Sequence, residues 1–98
     1  MVSGDSNAHV LVYQALDQVL GDRTISPGTS RAMHVAIDML RVNFAPPEHV
    51  LRAENIAIEI HRLQWALQQS DKRSSQAALR KLKRLASDWI DMRVRSKH

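Results

Sequence analysis

Apolar residues recur three and four positions apart over most of this chain. That spacing places side chains on one face of a helix turning about 100° per residue. Four such segments are predicted. Ala8, Val12, Ala15, Leu16 and Val19 make one stripe over a helix at about residues 7–20, with Asp5 or Ser6 as N-cap and Gly21 past its end. Asp22–Ser30 is loop chemistry. Pro27 suits a first helical turn after Ser26, while Thr29 or Ser30 would cap a helix at about 29–44. That helix has a main stripe of Met33, Ala36, Ile37, Leu40 and Phe44 and a weaker face of Ala32, Val35, Met39 and Val42, as if sandwiched.

The organising segment is Pro46–Gln69, a predicted third helix with two apolar faces. Ala53, Ile56, Ile60, Leu63 and Leu67 form one continuous seam. Leu51, Ile58 and Trp65 repeat every seventh residue, on a line roughly 170–180° from that seam. A monomer's surface helix needs one stripe only. The second is therefore covered either by helix 1 or 2 of the same chain, or by a partner or second copy, with His61 and Arg62 at its flank.

No Gly or Pro follows Pro47, so one long helix to the C-terminus is conceivable. The seam argues against it. Continued from Leu67 it meets Ser70, Ser74, Ala77, Lys81 and Arg84, mostly polar, whereas the apolar set is Ala78, Leu82, Leu85, Trp89 and Met92. With Asp71, Ser74 or Ser75 as caps, a separate helix at about 75–94 folds back as an antiparallel αα-hairpin. The expected fold is an all-α single domain over residues 1–98, a small bundle of three to four helices, dimeric through the Leu51/Ile58/Trp65 face.

Composition narrows the function. There is no Cys, so disulfides, thiol nucleophiles and thiolate metal sites are excluded. No apolar run reaches membrane-spanning length and the polar N-terminus lacks a signal pattern, so the expectation is a cytoplasmic protein. The five His residues are scattered, without metal-binding spacing, and are expected at surface or groove positions; no metal or cofactor is implied. Glu54 and Glu59 point about 140° apart, and Asp88 and Asp91 sit four residues from Arg84 and Arg95 as salt-bridge partners. Neither pair makes an acid–base site, and there is no nucleophile motif or phosphate loop. An enzyme is not expected.

Charge is divided unevenly. Residues 1–48 hold three Arg/Lys against five Asp/Glu, and residues 49–98 hold eleven against five. Arg80, Lys81, Lys83 and Arg84 concentrate the excess on the last helix, an anionic-partner face suited to an acidic protein or nucleic acid. No helix-turn-helix signature accompanies it. The sequence thus favours a regulatory protein acting through apolar helix faces. By analogy of size and architecture, it suits an antiactivator or anti-factor masking a transcription regulator, with Trp65 as anchor. A basic nucleic-acid-binding regulator is the alternative.

Overall fold

The computed structural model describes the backbone of residues 4–22 and 25–96, and side chains at 7–22 and 25–92. Four helices account for it: α1 (Gly4–Asp22), α2 (Pro27–Val42), α3 (Pro47–Gln68) and α4 (Lys72–Ser96). There is no strand among the described residues. The globule measures 45 × 23 × 21 Å. A helix is about 10 Å across, so those short axes hold a two-by-two array. The contacts agree: α1 packs on α2, α2 on α3, α3 on α4, and α4 closes the ring on α1.

Each helix feeds the centre from the stripe its spacing specified. Ala8, Val12, Ala15, Leu16 and Val19 are buried on α1; Met33, Ala36, Ile37 and Leu40 on α2; Ala53, Ile56, Ile60 and Leu63 on α3; and Ala78, Leu82, Trp89 and Met92 on α4. Only Trp89 supplies a large ring to this core.

The helix ends depart from expectation in instructive ways. Asp5 and Ser6 fall inside the first turn of α1, and their side chains lie outside the described residues. Gly21 belongs to α1, not to the turn after it, and its φ is not positive. Ser26 caps α2 by accepting from the Thr29 amide at 3.3 Å, with Pro27 in the first turn. Thr29 is buried, and its hydroxyl donates to Gln18 Oε1 at 2.9 Å, fastening α2 to α1.

Helix α2 stops at Val42, and Phe44 is not core: it is 93% exposed with φ 54°. The cause is a Schellman closure, in which Ala45 N–H donates to Leu40 O at 2.9 Å and Phe44 N–H to Arg41 O at 3.1 Å. That closure turns Phe44 left-handed and swings it off the stripe. Val35 and Val42 are also exposed, so α2 is not sandwiched.

α3 closes in the same way. Asp71 N–H donates to Ala66 O at 2.9 Å, Ser70 N–H to Leu67 O at 3.2 Å, and Ser70 has φ 56°. Asp71 then opens α4, accepting from the Ser74 amide at 3.1 Å and the Ser74 hydroxyl at 2.8 Å. α4 therefore starts three residues earlier than its apolar pattern indicates. Two ion pairs fix how α3 and α4 align, Arg52–Asp88 at 3.8 Å and Lys81–Glu59 at 3.7 Å. Advancing seven residues along α3 retreats seven along α4.

Candidate functional site

At a corner of the array, α3 buries the side facing the centre and leaves the opposite side to solvent. Leu51 is 58% exposed, Ile58 49% and Trp65 58%. Neither α1 nor α2 covers this second stripe. The physical reason is the ring order: α3 touches α2 and α4 on its flanks, and its outer line meets no helix. Leu67, in one seam with Ile60 and Leu63 by its spacing, is 47% exposed, and Ala66 takes the last buried position beside α4. The small side chain lets the helices meet near their tight connection; Leu67 is carried outward.

Two grooves flank the stripe, and both are lined by His61 and Arg62. One, of about 390 Å³, lies against α2, with Ala57, Ile58 and Ile60 on one wall and Met33 and His34 on the other. The second, of about 430 Å³, lies against α4. Trp65 and Ala66 form one wall there, and Ser74, Ala77, Ala78 and Lys81 the other. His61 and Arg62 are thus exposed on the crest between two recesses, next to Ile58 and Trp65.

Glu59 supplies the charge at the base of the second groove. Its side chain is only 8% exposed, and it pairs with Arg62 at 2.9 Å and Lys81 at 3.7 Å. A buried carboxylate needs such partners to offset the cost of leaving water. One carboxylate between two cations leaves a positive charge in excess. Arg41–Glu54 at 2.7 Å braces the α2 side of α3, and Arg52–Glu48 at 3.0 Å lies further along the α4 side.

On α4, Arg80, Lys81, Lys83 and Arg84 are all exposed. Lys81 is the member committed to an ion pair; Arg80, Lys83 and Arg84 have none among the described residues. The expected Arg84–Asp88 pair does not form, because Asp88 reaches across to Arg52 on α3. Arg95 lies outside the described side chains. The sequence-predicted residues thus assemble as an apolar crest on α3 with a basic slope on α4 beside it.

One cluster was not legible in the sequence. His9 and His49, expected at surface or groove positions, are 6% and 8% exposed, and His9 Nε2 lies 3.1 Å from His49 Nδ1. The His9 ring stacks on Trp89 with centroids 5.0 Å apart and planes 30° apart, and meets His49 edge-on at 5.1 Å. The Trp89 indole N–H is buried with no acceptor among the described residues. An N–H···N bond needs one imidazole as donor and the other as acceptor, so the pair forms with at least one ring neutral. The only available signal was positional. His9 is one residue from core Ala8, and His49 is four from core Ala53, so each borders a buried stripe. No group of three or more potential metal ligands occurs among the described residues.

No family model, curated protein or solved structure matches the chain. Among the described residues no helix is long and apolar enough to cross a membrane.

Proposed function

We propose that this protein is a small, non-enzymatic regulatory module that binds another protein through the outer face of α3. The observation that carries the reading is the heptad-spaced stripe of Leu51, Ile58 and Trp65, each about half exposed or more. Bulky side chains aligned on a helix without a covering partner are an interaction surface more often than an accident of composition. Trp65 is the anchor: its ring stands between apolar and cationic neighbours, a setting in which an aromatic side chain can dominate binding energy. An antiparallel αα-hairpin of α3 and α4 presents this face. The biological role that fits is masking, as an antiactivator or anti-factor covers a surface of a transcription regulator. That role is argued by analogy of size and architecture.

The same face supports a twofold homodimer in the absence of partner, since a self-complementary patch closes with one symmetry operation. Dimer and partner then compete for Trp65. The test is solution mass by light scattering over a concentration series, on wild type and Ile58→Asp. The expected result is a wild-type dimer and a folded monomeric variant. A variant that unfolds instead would put Ile58 in the core and end the reading.

A second reading has its own support in the exposed, unpaired Arg80, Lys83 and Arg84 on α4. A cationic helix face attracts nucleic acid by releasing counterions. Affinity for duplex DNA falling steeply with salt, and insensitive to Trp65→Ala, would favour it. No binding at low salt would remove it.

A further inference from the structure

The groove between α3 and α4 carries more chemistry than an apolar patch, and its charge says what seats there. Its apolar walls are small where they face each other, Ala66 on α3 and Ala77 and Ala78 on α4, with Trp65 as the large apolar side chain at the edge. Ala77 is exposed while Ala66 and Ala78 are buried, so these small residues leave room for a third helix to approach closely. Arg62 and Lys81 stand within it, sharing Glu59. On the α4 rim, Arg73, Arg80 and Arg84 follow at four residues before, three after and seven after Ala77. Those spacings put Arg84 about 70°, Arg73 about 90° and Arg80 about 110° round α4 from the middle of its groove-lining residues, so Arg84 and Arg73 stand at the outer rim and Arg80 faces solvent. All three are exposed and none makes an ion pair among the described residues. The acids nearby are already engaged: Glu59 with two cations, Asp88 with Arg52, and Asp71 with Ser74.

The geometry points to an acidic amphipathic helix of a partner protein as the occupant of the α3–α4 groove. Its apolar side chains, at helical spacing, would rest on Trp65 and the exposed Ala77. Its Glu and Asp side chains would meet Arg62 and Lys81 in the groove and reach Arg73 and Arg84 at the rim. Nucleic acid fits less well, because Trp65 and the alanines of the groove offer a phosphate backbone no partner. This inference rests on the reading of the α3 face as a protein-binding surface and names the chemistry of the partner.

The experiment uses the intact protein and a fluorescent designed helical peptide of about five turns, with Leu on one face and Glu on the other. Companion peptides carry Lys for Glu, or Gln for Leu, and a short DNA duplex is titrated in parallel. The protein variants are Trp65→Ala and the double variant Arg73→Glu/Arg84→Glu, each checked for helicity by circular dichroism. The expected result is that the acidic Leu peptide binds. Trp65→Ala and the charge reversal should each weaken it by about tenfold or more, and both companions should fail. Equal binding of the Lys peptide, lost on Trp65→Ala, would overturn the acidic assignment while leaving the α3 face as a protein-binding surface. Indifference of every peptide to Trp65→Ala would overturn both. Tighter binding of the duplex, abolished by charge reversal and untouched by Trp65→Ala, would overturn the inference in favour of nucleic acid.

Discussion

The two tryptophans make a controlled comparison, because the chemistry removed is the same and only the location differs. Trp65 is 58% exposed, so about two-fifths of its surface is covered by its own chain, whereas Trp89 is 1% exposed. A tryptophan side chain offers up to about 250 Å². Two-fifths of that, at about 25 cal/mol per Å², is an upper bound near 2.5 kcal/mol for Trp65→Ala. Much of that cover comes from neighbours on α3 and from the stem that alanine keeps, so the expected cost is about 1 kcal/mol. Trp89→Ala also leaves a cavity among packed side chains and should cost about 3–5 kcal/mol. Against a total stability on the order of 5–15 kcal/mol, the second loss is severe and the first mild.

Urea unfolding followed at 222 nm resolves the two. With a slope of about 1.5 kcal/mol per M, the midpoint should move by roughly 0.7 M for Trp65→Ala and by 2 M or more for Trp89→Ala. The protein should be dilute enough to be monomeric, since dimerisation would add the partner's contribution to Trp65. Equal, large shifts would refute the reasoning, because Trp65 would then be core and no free face would remain on α3.

Further outcomes follow from the helix ends and the polar pair. Phe44 and Ser70 hold left-handed backbone angles without being glycine, so Phe44→Gly and Ser70→Gly should each raise stability by up to about 1 kcal/mol, read as the thermal midpoint; a loss would show that the side chains hold the corners together. The Asp71 carboxyl lies below its ordinary value of 3.8 because the Ser74 amide, and then the Ser74 hydroxyl, stabilise its charge. A lowered folded value means the contribution is complete above the unfolded value and disappears as pH falls through the folded one. Helicity should therefore drop more between pH 5 and 2 (about the carboxylate range) in wild type than in Asp71→Asn, which keeps an acceptor without the charge; superimposable profiles would contradict this. A double-mutant cycle on His9→Ala and His49→Ala should give a coupling of about 0.5–1.5 kcal/mol, and additive losses would mean that the 3.1 Å contact contributes nothing.

Periodicity located the core well, since the α1 stripe and most of the α3 and α4 seams are buried as their spacing requires. It failed where backbone closure overrides side-chain preference. Phe44 is large and apolar and sits in register with Leu40, yet two amide–carbonyl bonds at the end of α2 turn it outward. Asp71 was legible as a cap, but polar Lys72–Ser74 hid the first turn of α4, which hydrogen bonds define without any apolar signal. The exposed α3 stripe was readable as a second face. Which side of it stays uncovered depends on the ring order of four helices, a property of the whole chain. The His9–His49–Trp89 cluster was beyond local reasoning altogether, since its members are 40 residues apart in each step.

That cluster sits where the ring of helices closes, and the closure bears on how the molecule assembles. Three interfaces join consecutive helices, so each forms by folding back across a short connection. The α1–α4 interface is the thinnest, and it joins the first helix to the last. Forming it requires most of the chain to be gathered already, and a long loop costs more entropy to close than a short one. The stack of His9 on Trp89 is therefore among the last native contacts made. In the native protein it would be among the first to open, letting α1 swing away on α2 while the α3 crest and the α4 slope stay in place. Amide hydrogen exchange would register such an opening as a sub-global unit confined to one edge of the molecule.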